Sequence, residues 1–354
     1  MIPVFKPDIP SFRLLKKSLR EIDRSSQYTN FGPKSCKLEE LIANKFNVSQ
    51  KNVTSICNAS LAIEGALICE EESNRWTVPS WTFVAPVHAL VRASKDFVFV
   101  DVDNSWRSLG INSQQDNDAI LDVLPFGDDI DLKRFENFSG TILIDGAGSF
   151  DSLSSFSFPI DKRIGIVMSF HATKSMPGAE GGIFISNDSD WVSRVRNWSN
   201  FGFTETRSAE FVGTNAKMHE YSAAIVLASL NRWPKDKQVW KVSNSWALDL
   251  STELELDVNP ALTKNFATPY WIIRNDSYTI LELEKYLEVN GVQTRRWWGF
   301  GCHTMKAFDN VKTDLLGLKT TNKIASQTLG LPMYKNLSFS DKKKIEAVLR
   351  RFCS

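Results

Sequence analysis

What most constrains this chain is a succession of short strand-like runs, several of them followed by a helical stretch. Val53-Thr-Ser-Ile-Cys57, Arg75–Pro79, Phe97–Val102, Ala119–Leu124, Thr141–Asp145, Ile164–Phe170 and Gly182–Ser186 recur through the first half. Phe97-Val-Phe-Val-Asp-Val102 is apolar almost throughout, the pattern of a strand covered on both faces. Between the runs, helical spacing marks Lys34–Phe46 (Leu38, Leu41, Ile42 and Phe46), Leu61–Ile68, Phe83–Ala93 and a segment near Leu132–Phe138. Such alternation predicts an α/β domain with a mainly parallel sheet, in which ligands collect beyond the carboxyl ends of the strands.

Helices are expected at Asp188–Trp198 and Met218–Leu230, with the loop Phe201–Asn215 between them, and an extended arm before Lys34. A loop of that length in a compact domain is often functional or an interface element. From Gln238 a second region begins, with a strand at Ala267–Arg274, a helix at Ile280–Asn290 and a C-terminal helix at Asp341–Phe352. At 354 residues the chain exceeds one typical domain, so the expected division is 1–237 and 238–354. A 42% hydrophobic and 23% charged composition provides for a substantial core, and the net charge of +1 gives no electrostatic case for nucleic acid or an anionic membrane. The longest apolar runs, such as Ile225–Leu230, are too short to span a bilayer. The N-terminus lacks a signal peptide's charged start and apolar core, so the cytoplasm is the expected location. Five scattered cysteines form no CxxC pair, and four histidines share no metal-ligand spacing, which argues against a disulfide framework or a metal site.

The chemistry concentrates in Ser169-Phe-His-Ala-Thr-Lys174-Ser-Met-Pro-Gly178-Ala-Glu-Gly-Gly182, between two of the strands. Lys174 sits among small residues without charged neighbours, a setting for a partly desolvated amine. Desolvation lowers an amine's pKa from about 10.4 toward neutrality, as a Schiff-base lysine requires. The competing reading is a loop lysine beside a glycine turn. A strand running into Asn58-Ala59-Ser60 and a helix from Leu61 makes an anion site, or an ordinary helix cap. Asp145 ends its strand at the same sheet edge, followed by Gly146-Ala-Gly148; alone it reads as a turn-capping aspartate. Ser60, Asp145, Ser169 and Lys174 are thus expected to converge on one crevice. In the second region, Arg295-Arg296-Trp297-Trp298 and His303 line a substrate mouth or form a domain interface.

With these residues in view, the chain resembles the DegT/DnrJ/EryC1/StrS family of pyridoxal-phosphate (PLP) sugar aminotransferases over nearly its whole length. Ser169–Lys174 with Gly178–Gly182 resembles the family's lysine motif. The resemblance makes Lys174 the lysine bonded to the cofactor and Ser169 a phosphate ligand. Ser60 and Leu61 fall at its phosphate-binding turn. Pro79-Ser-Trp-Thr-Phe83 is similar to the segment whose aromatic stacks on the pyridine ring, here Phe83. Asp145 matches the aspartate that pairs with the ring nitrogen, and Gly213–Met218 the segment lending an asparagine, here Asn215, to the neighbouring subunit's phosphate. Three positions depart from the pattern. Gly148 stands where a glutamine or histidine is usual, Ala216-Lys217 where an aromatic and an arginine are usual, and Trp297-Trp298 where a histidine-tyrosine pair is usual, with His303 one residue further on.

The resemblance implies PLP fold type I, with a large, mixed, mostly parallel seven-stranded sheet domain and a small C-terminal α/β domain. It implies a homodimer with shared active sites. It also implies a cytoplasmic transaminase of deoxyaminosugar biosynthesis, of the kind that serves lipopolysaccharide O-antigens. The donor would be an amino acid, L-glutamate by family habit. The acceptor would be a nucleotide-linked keto-sugar, a dTDP- or UDP-4-keto-6-deoxyhexose aminated at C-4, with C-3 as the alternative. Trp297, Trp298, His303, Arg295 and Arg296 are the candidate acceptor contacts. Relatives that eliminate water carry a histidine at the lysine position, against Lys174 here. A nucleotide-binding regulatory protein without PLP is the other alternative, but Gly178–Gly182 is not GxGxxG and precedes a strand.

Overall fold

The computed structural model describes residues 1–73, 75–109, 118–276, 279–314 and 316–353. Its first half alternates as the apolar runs require: β1 (Val53–Ile56), β2 (Arg75–Pro79), β3 (Phe97–Val100), β4 (Asp118–Val123), β5 (Thr141–Asp145), β6 (Ile164–Ser169) and β7 (Gly182–Ser186). β1 and β3 to β7 are buried along their whole length, because helices cover both faces of the sheet. The strand order is β1-β7-β6-β5-β4-β2-β3, with β7 antiparallel to both neighbours and the others mutually parallel. An eighth strand, the two-residue β10 (Lys312–Thr313), adds in parallel to β3. Among the described residues the sheet therefore has eight strands rather than the expected seven, the last supplied from the second region. So short a segment carries no periodic signal.

Helices α2 (Pro33–Lys45), α3 (Ala59–Ile68), α4 (Val84–Arg92) and α5 (Ser189–Trp198) lie close to their expected positions. Three expectations needed correction. The arm before Lys34 is extended only at its start and then forms α1 (Phe12–Ser25), whose buried face is as sparse as Leu15 and Ile22. Leu132–Phe135 is a single 3-10 turn and not a longer helix. The helix expected at Met218–Leu230 is α6, Glu220–Glu253, 34 residues long with Pro234 inside it. Trp233, Trp240, Ala247 and Leu250 recur on its buried face and carry the helix past the proline. The 237/238 division drawn from the sequence thus falls inside an unbroken helix.

The second region holds β8 (Asp257–Val258), α7 (Pro260–Thr263), β9 (Trp271–Arg274), α8 (Ile280–Val289), α9 (Lys319–Gln327), β11 (Thr328–Leu331) and α10 (Phe339–Cys353). Its antiparallel sheet has the order β11-β9-β8. The N-terminal segment is stitched to this region: Ile2 bridges Val292, and Met333 N–H donates to Val4 O at 3.0 Å. Among the described residues, no helix is long and apolar enough to cross a membrane.

Candidate active site

The carboxyl ends of β1, β2, β4, β5 and β6 open on one cavity of about 750 Å³. Residues from both regions line it. β1 leads through Cys57 into α3, whose cap Asn58 accepts the Leu61 N–H through Oδ1 at 2.9 Å. This helix end sits directly on the sheet because β7 begins with Gly182. A Cβ there would stand 2.6 Å from the Asn58 carbonyl carbon and 2.7 Å from the Ala59 nitrogen. The first turn of α3 and the exposed Ser60 line the cavity, so unpaired N–H groups and the positive dipole end favour an anion there. Ser169, the last residue of β6, lines the same cavity, and its Oγ accepts the His171 N–H at 3.2 Å.

Asp145 ends β5 and is buried, with its Oδ1 fixed by the Ala147 N–H at 2.9 Å. Burial raises its carboxyl pKa, against the lowering pull of the Ala147 N–H and the Lys174 charge. A cationic partner in the cavity is what would hold it as a carboxylate. Phe83, at the start of α4, is 55% exposed and lines the cavity, where its ring offers a face for stacking.

Lys174 stands on a loop tied down at several points. The Lys174 N–H donates to His171 O at 2.9 Å and the Gly178 N–H to Phe170 O at 2.6 Å. From α6, Ser229 Oγ donates to Pro177 O at 2.5 Å and Trp240 Nε1 to Ser175 O at 3.2 Å. The amine itself donates from Nζ to the Tyr270 hydroxyl oxygen at 2.9 Å. Its titration reverses the sequence expectation. Burial does oppose the ammonium, but the Tyr270 oxygen and the Asp145 carboxylate outweigh it, and the pKa lies above the ordinary lysine value.

The second region supplies an aromatic wall. Trp298 stacks on Phe126 at 4.0 Å and 19° and meets Trp81 edge-on at 4.9 Å, and Trp297 meets Tyr270 edge-on at 5.3 Å. Arg295 reaches this wall with its guanidinium 5.5 Å from the Phe5 ring centre and 4.9 Å from that of Trp297. The other expected contacts lie outside the lining. Arg296 is paired with Glu284 at 2.5 Å. His303 is held through Nδ1 by Ser80 Oγ at 2.6 Å and through Nε2 by Asn322 Oδ1 at 3.1 Å, and burial lowers its pKa. Asn215 is exposed and bridges Asn200, away from this chain's own cavity. Sequence reasoning missed Tyr270, Phe126 and Phe5. Tyr270 lay inside a recognised strand segment, but nothing in the sequence set its hydroxyl against Lys174.

Fold and site together bring a lysine beside a carboxylate, a helix N-terminus and an exposed aromatic ring to one cavity. A family model described as the DegT/DnrJ/EryC1/StrS aminotransferase family matches residues 13–132 and 145–350, and the chain belongs to that family. Over 353 residues it is 25% identical to the dTDP-4-amino-4,6-dideoxy-D-glucose transaminase of Shigella dysenteriae, with 95% of each chain covered. Over 369 residues it is 20% identical to the GDP-perosamine synthase of Vibrio cholerae, covering 98% of this chain and 97% of the other. Among solved structures, DesI with its TDP-sugar product superposes with a TM-score of 0.86 at 23% identity, covering 99% of this chain and 93% of that one. The family's cofactor is PLP, and the donor set fits it. The α3 end with Ser60 and Ser169 suits its phosphate, Asp145 its ring nitrogen, Phe83 its ring face and Lys174 its aldehyde.

Proposed function

We propose that the protein transfers an amino group from an amino acid, L-glutamate, to C-4 of a nucleotide-linked keto-deoxysugar, a dTDP- or UDP-4-keto-6-deoxyhexose. The observation that carries this is that Lys174, Asp145 and the Trp297–Trp298 wall line one and the same cavity. When bound, PLP supplies an electron sink that lets a proton leave carbon. Asp145 would keep the ring nitrogen protonated, and Lys174 Nζ would carry the proton that leaves carbon. The aromatic wall offers apolar faces to a deoxygenated sugar or a base, while Arg295 meets the diphosphate or the donor carboxylate. Relatives named for dTDP-4-amino-4,6-dideoxy-D-glucose and GDP-perosamine support the substrate class and the C-4 position.

In this reading the protein is a cytoplasmic homodimer of deoxyaminosugar biosynthesis, divided near 237 into a large cofactor domain and a small one. The exposed Asn215, beside the exposed Phe211 and Val212, serves the partner's cofactor phosphate. The test is a panel of nucleotide keto-sugars with L-glutamate, followed by determination of the aminated carbon. Amination of a 4-keto-6-deoxy sugar at C-4 is the expected outcome. Turnover confined to 3-keto sugars, or dehydration without amination, would contradict it.

A further inference from the structure

Gly148 carries no side chain, and the structure shows what fills the space beside it. A Cβ on Gly148 would stand 3.1 Å from Tyr270 Cε2, tighter than ordinary carbon contact, so the tyrosine ring occupies that corner of the cavity. The ring is held on two sides, edge-on to Phe126 at 5.5 Å and to Trp297 at 5.3 Å. Its backbone is anchored as well. The Tyr270 N–H donates to Thr268 Oγ1 at 3.3 Å, and Thr268 Oγ1 donates to Phe126 O at 2.8 Å. Thr268 also exchanges two hydrogen bonds with the Asn244 side chain on α6, at 2.9 and 3.1 Å. Tyr270, Phe126, Thr268 and Asn244 are buried and Trp297 is half-buried, so the ring has little freedom to swing away.

We propose that Tyr270 is a positioning residue for Lys174: its phenol, seated in the space Gly148 leaves open, holds the Nζ amine and accepts a hydrogen bond from it. The inference rests on reading Lys174 as the amine that takes up the cofactor. A second region of the chain thereby sets the orientation and protonation of an amine carried by the first. Asp145 also faces that amine from the sheet edge, and Glu64, His88, Arg92, His171, Glu180 and Arg295 are the other titratable groups lining the cavity.

The hydrogen bond to the phenol oxygen favours the ammonium form, so its removal frees the amine at lower pH. Uptake of PLP by the cofactor-free protein, followed by absorbance across pH, reads this directly. In Tyr270→Phe the midpoint of uptake should fall by about one pH unit, or about tenfold more free amine at a given pH below the midpoint. A purely structural role would leave the midpoint in place, and an unchanged or raised midpoint overturns the proposal. Should Tyr270→Phe fail to fold by thermal unfolding, Gly148→Ala carries the test. It keeps the hydroxyl but displaces the ring by a few tenths of an ångström, and it should lower the midpoint by a smaller amount; no change there overturns the proposal too. Lys174→Ala separates the two assignments. If it takes up PLP with the wild-type midpoint, the proposal falls through Lys174 rather than through Tyr270.

Discussion

The sheet edge and the Arg295–His303 segment were both expected to supply the site, and the structure treats them differently. At the sheet edge, Ser60, Leu61, Phe83, Asp145, Ser169 and Lys174 all line the cavity. In the second segment Arg295, Trp297 and Trp298 do so, while Arg296 turns to Glu284 and His303 to Ser80 and Asn322. Parallel strands in one sheet end on the same side, so a residue at a strand's carboxyl end has its location settled by topology. A loop residue's location depends on which neighbours compete for its side chain, and neighbouring arginines can part company.

The contrast is sharpest at that arginine pair. If Arg295 meets a substrate anion, Arg295→Ala should raise KM for the nucleotide sugar about tenfold to a hundredfold, the value of one charge-assisted hydrogen bond. Arg296→Ala should leave KM near wild type and cost at most about 1 kcal/mol of stability through its partly exposed pair with Glu284. Steady-state kinetics and thermal unfolding of the two variants check this; the reverse pattern would break the division between inward and outward residues.

A smaller effect concerns His303. Burial holds its folded pKa below the ordinary 6.5. The unfolded chain therefore binds the proton more readily, and the native state loses stability as pH falls below 6.5 toward the folded value. His303→Asn should flatten that part of the stability profile while leaving KM nearly unchanged. Thermal unfolding between pH 5 and pH 8 reads both slopes, and an unaltered profile would show that His303 makes no such contribution.

The same physics explains what could be read from the sequence. The strands from Val53 to Ser186 announced themselves as buried runs, and with them came the edge residues that face the cavity. β10 is two residues long, and the core positions of α6 straddle Pro234, so neither gave a local signal. Tyr270 was invisible for a deeper reason. Its importance depends on an absent side chain at Gly148, on a turn at Phe126 and on a lysine 96 positions away, which only the folded chain brings together. Lys174's raised pKa follows from that contact, where local reasoning from small neighbours had pointed the other way.

In the proposed function the sheet edge presents Lys174 to an aldehyde-bearing cofactor held by the α3 end, Ser169 and Asp145. Borohydride reduction of the PLP-loaded protein, followed by peptide mapping, tests it most directly. The yellow absorbance should be lost, with a single phosphopyridoxyl adduct on Lys174. An adduct on another lysine such as Lys217, or a protein that PLP cannot colour at all, would contradict it.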